Sequence, residues 1–245
     1  MSSCSSEDAL EETNAILPKS IKITNPKNPS ENSVMTYSYQ GKKLVSISEN
    51  NKMTKFVYDG DKIIKEVSYV VAGPTTTKIV ETTYKYSGKK MISSFVQTEN
   101  DRYKSTRETV YTYNADGTVK SEENSKAETI PEGYTIKIRT SYKMTFVNGN
   151  LAKLEDLIDL NNVYENEFDD HNNPFKNVTG FDLLMNIEYT SNNLITNTYT
   201  FKDNFGVSGK SLYKVEYEYN DDGYPSKKTT ILKDGSIGEI SEYSY

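Results

Sequence analysis

One unit recurs along this chain: an aromatic residue, any residue, a second aromatic, a short turn bearing Gly or Asn, then a return segment of alternating apolar residues. Two copies are nearly identical, Tyr111-Thr112-Tyr113-Asn114-Ala115-Asp116-Gly117 and Tyr217-Glu218-Tyr219-Asn220-Asp221-Asp222-Gly223. Shorter turns give Tyr37-Ser38-Tyr39-Gln40-Gly41, Phe56-Val57-Tyr58-Asp59-Gly60 and Tyr84-Lys85-Tyr86-Ser87-Gly88. Weaker copies are Met144-Thr145-Phe146 before Asn148-Gly149, Glu188-Tyr189-Thr190 before Asn192-Asn193, and Tyr199-Thr200-Phe201. The chain ends on Tyr243-Ser244-Tyr245, which reads as one more first strand.

Residues two apart in a strand share a face, so each aromatic pair lies on one side of a sheet. Asp59-Gly60 and Asn148-Gly149 supply the positive φ that tight hairpin turns require, and Asn-Ala-Asp-Gly or Asn-Asp-Asp-Gly suits a longer type I turn closed by Gly. Returns such as Lys62-Ile63-Ile64-Lys65-Glu66-Val67 and Thr118-Val119-Lys120 complete the hairpins. With roughly nine such units, the chain is expected to be all-β: a long antiparallel β-meander of repeated hairpins, fifteen or more strands, forming a curved sheet or partly closed barrel. Leu17 to Ile23 alternates apolar and polar and reads as the first strand.

Composition supports one large β domain. Hydrophobic residues are 35% of the 245, a low share, while 20 are Tyr. Apolar burial must then come largely from Tyr rings, which bury area while the hydroxyl stays wet. No apolar run reaches the length of a membrane-spanning helix. A membrane-spanning barrel needs an apolar outward band on every strand. The face opposite the tyrosines in Thr82-Thr83-Tyr84-Lys85-Tyr86 and Lys214-Val215-Glu216-Tyr217-Glu218-Tyr219 carries Lys, Glu and Thr, so such a barrel is not expected. The net charge is −6, with Lys and Glu interleaved, which argues against a nucleic-acid partner.

The sole cysteine, Cys4, sits in Met1-Ser2-Ser3-Cys4-Ser5-Ser6-Glu7-Asp8. Small residues before a Cys, then Ser and acidic residues, resemble the cleavage site and mature start of a bacterial lipoprotein, and the Ser-Ser-Glu-Asp run resembles the export signal of Bacteroidetes surface lipoproteins. Lipidation is expected at Cys4, with the hydrophobic signal segment trimmed from the sequence ahead of it. More than one acyl chain would anchor the protein stably. Residues 1–18 form the lipoprotein start and a flexible tether, and residues 19–245 a single β-repeat domain.

From about Leu154 to Met185 the repeat breaks. An acidic stretch leads into Phe168-Asp169-Asp170-His171-Asn172-Asn173-Pro174-Phe175, read as a strand into an Asn/Pro turn. Thr179-Gly180-Phe181-Asp182-Leu183-Leu184-Met185 follows, read as a short helical turn plugging an end of the sheet.

The Tyr-x-Tyr-Asn-x-Asp-Gly unit resembles the tyrosine–aspartate repeat of Rhs and teneurin shells. The whole layout, from Cys4 through Ile16-Leu17-Pro18-Lys19-Ser20-Ile21 and Asn172-Asn173-Pro174-Phe175-Lys176-Asn177 to the terminal tyrosine pair, is similar to uncharacterised Bacteroidetes surface lipoproteins. That resemblance implies an outer-membrane lipoprotein with a curved β-meander and no assigned activity.

Enzyme chemistry finds little footing. Gly206-Val207-Ser208-Gly209-Lys210-Ser211 lacks the leading glycine of a phosphate-binding loop, because Asn204 stands there. One Cys and one His make no zinc site and no Cys–His pair. No Gly-x-Ser-x-Gly elbow exists, and no carboxylate pair stands out for glycoside hydrolysis. Asp169, Asp170, Asn172 and Asn173 offer oxygens for calcium but fit a turn better. No cofactor, metal or catalytic residue is therefore assigned. The function expected is that of a surface-exposed, lipid-anchored accessory subunit with an outer-membrane protein partner, using exposed strand edges. The alternatives are a carbohydrate-binding lipoprotein with solvent-exposed tyrosine faces and a glycan-degrading enzyme.

Overall fold

A computed structural model describes residues 15–100, 102–131, 133–202 and 208–245. The strands are β1 (Ser20–Thr24), β2 (Ser33–Gln40), β3 (Lys43–Glu49), β4 (Lys52–Asp59), β5 (Lys62–Ala72), β6 (Thr75–Ser87), β7 (Lys90–Glu99) and β8 (Tyr103–Tyr113). They continue as β9 (Val119–Thr129), β10 (Thr135–Val147), β11 (Asn150–Asp156), β12 (Val163–Phe168), β13 (Leu194–Lys202), β14 (Ser208–Tyr219), β15 (Pro225–Ile231) and β16 (Ile237–Ser244). Each pairs antiparallel with its sequence neighbour, and β1 pairs with both β2 and β16, closing the sheet into a sixteen-stranded barrel.

The aromatic unit explains the closure. In β2/β3, β4/β5, β6/β7, β10/β11 and β14/β15 the register slips just before the second aromatic: Tyr39 faces Leu44 while Ser38 faces Ser46, and Tyr58 faces Ile63 while Val57 faces Lys65. One extra residue on the return strand, such as Val45 or Ile64, makes a β-bulge, which bends the strand and strengthens its twist. Five such bulges around one rim curl the sheet until its ends meet, so the meander closes fully and leaves no open sheet at β1 or β16.

The second tyrosine of each pair also stitches neighbouring hairpins. The Tyr39, Tyr86, Tyr113 and Tyr245 hydroxyls donate to the carbonyls of Pro18, Ile63, Met91 and Pro225 at 2.8–2.9 Å, and the Tyr58 hydroxyl accepts from the Leu44 amide at 3.1 Å. The first apolar residue after the turn is sealed inside: Leu44, Ile63, Met91 and Val119 are each at most 3% exposed. Lys43, Lys62 and Lys90 lie over the rings of Tyr58, Tyr86 and Tyr113. Leu17 and Pro18, where the tether and the expected first strand overlap, precede β1 and pack on the barrel: Leu17 lies against the core and Pro18 is fully buried.

The Tyr189 unit is not a hairpin. Tyr189 ends a 3-10 turn, Ile187–Tyr189, inside the barrel. The segment from Asp169 to Asn193 between β12 and β13 folds into the lumen as a plug, and it contains the expected short helical turn as Phe181–Leu183. Phe175, Phe181 and Tyr189 form an aromatic cluster that reaches Tyr37 and Phe56 of the wall. The core is therefore the plug pressed against β1 to β7, with Phe181 only 1% exposed.

Candidate functional site

The plug occupies one end of the lumen, the end that carries the bulged turns. The Thr179 amide donates to the Lys42 carbonyl at 3.0 Å, the Asn172 amide to Gly223 at 3.1 Å, and Asn177 Nδ2 to Tyr224 Oη at 2.8 Å. Gly180 has φ +84°, and a Cβ there would lie 2.7 Å from the Asp61 carbonyl oxygen, so only glycine lets the plug approach that turn. Asn150 and Asn192 exchange hydrogen bonds at 2.9 and 3.0 Å, tying the plug to β11.

Beyond the plug, against β5 to β13, the lumen is hollow. A cavity of about 530 Å3 lies there. Its floor is apolar, made by Met91, Met144, Leu184 and Met185. Its walls carry the rings of Tyr84, Tyr111, Tyr142, Tyr164 and Tyr189. Three charged side chains face it: Glu66, Arg107 and Glu123. Arg107 Nε stands 3.9 Å from Glu123 Oε2. Glu66 accepts a hydrogen bond from Tyr84 Oη at 2.8 Å. Among the described residues Glu66 has no ion-pair partner, because Lys65 beside it points outward and pairs with Glu81 at 3.7 Å.

Burial without a countercharge pushes the Glu66 carboxyl above its ordinary range, an effect that the Tyr84 hydroxyl only partly offsets. Burial likewise raises Tyr84, Tyr111, Tyr142 and Tyr164, with Glu66, Glu123 and Asp156 adding to it.

Period two extended inward from Tyr111 and Tyr113 places Arg107 on the same face, and extended from Val119 it places Glu123 there. Both were legible, although the sequence reading did not single them out. Glu66 was hidden: counting from Ile63 puts it outside, and only the bulge at Ile64 turns it in.

The residues that sequence did single out lie elsewhere. Cys4 is outside the described residues. His171 is in the plug's surface turn, stacked on Tyr219 with ring centroids 3.9 Å apart and Nδ1 3.0 Å from Asp170; it does not line the cavity. Asp169 is fully engaged, accepting from the amides of His171 and Asn193, from Asn193 Nδ2 and from Tyr219 Oη. Asn173 Oδ1 holds the Phe175 amide at 2.9 Å. This is the turn reading, with these oxygens used to hold the plug in place. Asn204, Gly206 and Val207 are outside the described residues, and Ser208 to Ser211 lie in strand β14.

The tyrosine pairs face the lumen, as burial through Tyr rings requires, and the solvent-exposed tyrosine rows that the carbohydrate-binding alternative needs are not formed by these pairs. The outer face of the wall is charged. Lys120 and Arg139 meet Glu122 at 3.1 and 3.0 Å, Lys153 meets Glu155 at 2.9 Å, and Lys227 meets Glu218 at 2.7 Å. Thr83, Lys85, Glu108, Lys126 and Lys143 alternate outward between them.

The two rims differ. The long strands are β5 to β10, of 10 to 13 residues, and β14, of 12. In β10, Thr135 to Thr140 pair only with β9, since pairing to β11 begins at Tyr142. Around that rim Tyr134, Ile136, Ile138, Ile158 and Leu160 are all more than half exposed.

No protein-family model matches the chain, and no curated protein matches its sequence. The fold is nevertheless one already seen. A porin-like protein from Bacteroides vulgatus superposes with a TM-score of 0.57 over 94% of this chain and 99% of its own, at 15% identity. A porin-like protein from Bacteroides uniformis aligns over 93% of this chain and 96% of its own, at 10% identity, with a TM-score of 0.38 that is too low to add weight. The chain thus has the fold of a porin-like barrel.

Proposed function

We propose that the chain is a non-enzymatic outer-membrane lipoprotein, anchored through Cys4, whose barrel stands in water at the cell surface and serves as a binding or accessory subunit of a membrane protein complex. The observation that carries this reading is the sidedness of the wall: the Tyr pairs inside, and outside mostly Lys, Glu and Thr, with Val57, Phe95 and Val110 among them. A relative in fold is described as porin-like, and a porin reading would put this wall in lipid. Charged residues on the lipid face of a barrel cost about 2–4 kcal/mol each for Lys or Arg at mid-depth. The Lys120–Glu122–Arg139 patch alone makes such insertion unfavourable. Chain entry also fits, because Ile16 and Pro18 are bound at the plugged end. An anchor at Cys4 would hold that end within about 40 Å of the membrane and point the open rim away.

The partner is supported by the open rim. Closure removes the free edges along most of the wall, but Thr135 to Thr140 keep one, flanked by exposed Ile136 and Ile138. An unpaired edge with apolar neighbours suits strand addition by another protein.

The test is fractionation of cells carrying the chain behind a lipoprotein signal. Wild type is expected in the outer membrane, accessible to added protease, and Cys4→Ser in the soluble fraction. A Cys4→Ser variant that stays in the membrane through carbonate washing would show that the barrel itself inserts. Gentle solubilisation of wild type should then bring down a stoichiometric membrane protein; recovery of the barrel alone counts against the subunit role.

A further inference from the structure

We propose that the hollow half of the lumen is a binding site for a small organic cation, an amine carried on an aromatic or aliphatic body. This does not depend on how the protein is anchored or what it partners.

Volume is the first support. Small-molecule pockets run roughly 300–1,000 Å3, and this cavity, at about 530 Å3, is within that range. It is half-enclosed by plug and wall and borders the aromatic core through Tyr189, Met91 and Leu184. The second support is the distribution of polarity. The floor of Met91, Leu184 and Met185 suits an apolar body, while the polar groups sit on the walls above it. A water-filled void would need no such division.

Charge then selects the class. Of the three charged side chains facing the space, two are acidic. Arg107 lies toward Glu123 and offsets it, which leaves Glu66 facing the cavity with one hydroxyl as its partner. A buried carboxylate is satisfied by a cation or by several N–H donors. An ammonium group supplies both. Tyr84, Tyr111, Tyr142 and Tyr164 line the space, and aromatic rings attract cations through their quadrupoles, most strongly where water is excluded. Anions meet an acidic, ring-lined wall and are repelled. A neutral sugar could use the rings and hydroxyls but would leave Glu66 uncompensated.

The test uses the unlipidated full-length chain and isothermal titration with three probes: 2-phenylethylamine, its neutral analogue 2-phenylethanol, and methyl α-glucoside. The amine is expected to bind at least tenfold tighter than the alcohol, with no binding of the glucoside. Glu66→Gln should erase the preference for the amine, and Arg107→Gln should raise amine affinity about threefold. Opposite signs at two wall positions are not what a plain apolar hole would give. The proposal is overturned by no amine binding at millimolar concentration, by alcohol or glucoside binding as tightly as the amine, or by an amine preference that survives Glu66→Gln. Should Glu66→Gln fail to fold, judged by its melting curve, Arg107→Gln and the salt dependence of amine binding to wild type decide: both effects absent overturns the proposal, and both present supports it.

Discussion

At the plugged end of the barrel the hairpins are short, most are closed by glycine, and they are tied to one another by tyrosine hydroxyls and to the plug by backbone bonds. At the open end β10 is half unpaired, and Tyr134 and Ile136 are 73% and 63% exposed. Both ends come from the same meander. The difference lies in what the inward residues do: near the plug Leu44 and Ile63 pack against Phe181 and fill space, and farther up Tyr, Thr, Glu and Arg side chains surround a cavity. Stability is therefore expected to concentrate at one end and recognition at the other.

The most forceful way to break that comparison is Phe181→Ala. Phe181 is 1% exposed and touches the rings of Phe56, Phe175 and Tyr189. Truncating a buried Phe costs about 3–5 kcal/mol. For a chain of this size that lowers the melting temperature by on the order of 10 °C. Thermal denaturation followed by circular dichroism reads it directly. A loss below about 1 kcal/mol would mean that the plug merely occupies the lumen and the wall is stable without it.

Much of the plugged end was legible in the sequence, because its devices are local. Tyr-x-Tyr, a glycine turn and an apolar return specify a hairpin within a dozen residues, and Gly180-Phe181 already read as a plug. Closure was less legible. It depends on one extra residue in each of five return strands, and Val45 or Ile64 looks like any other apolar strand residue until its partner is known. The same bulge reversed the apparent side of Glu66. Tyr189 departs from the hairpin pattern for a different reason: its Tyr-Thr-Ser-Asn-Asn context satisfies turn chemistry equally well inside a plug, and only its packing on Phe175 and Phe181 separates the two. The candidate site lies where local rules stop, on inward polar residues whose grouping requires the barrel to close.

A sharper and smaller probe is Glu66→Gln across pH. In the folded chain burial raises this carboxyl above its ordinary range. Near pH 4 the folded and unfolded chains both hold the proton, and the carboxyl costs nothing. As pH rises through the folded-state value the unfolded chain has already released its proton while the native state resists, so stability declines and the deficit persists at neutral pH. Glutamine removes the ionisation and still accepts from Tyr84. The variant is expected to melt a few degrees above wild type at pH 7, with the gap closing toward pH 4. A gap that is constant across pH would locate the effect in packing. A gap of opposite sign would mean that the native carboxylate has a compensating cation.

The smallest effect is expected at the open rim, and there its smallness is the point. Ile138 is 57% exposed on the half-unpaired length of β10. Its side chain contributes little to the fold, so Ile138→Ser should change stability by no more than about 0.5 kcal/mol, the usual range for a surface position. An apolar side chain held beside a free strand edge in water is otherwise a liability, since such edges template unwanted pairing. Its presence makes sense if something covers it. Recovery of the proposed membrane partner with Ile138→Ser should therefore drop well below wild type while the melting curve stays put. A variant that melts several degrees lower would move Ile138 from recognition to stability and erase the contrast between the two ends; one that melts normally and still brings down the partner would place the contact on another part of the rim, with Ile158 and Leu160 next to be changed.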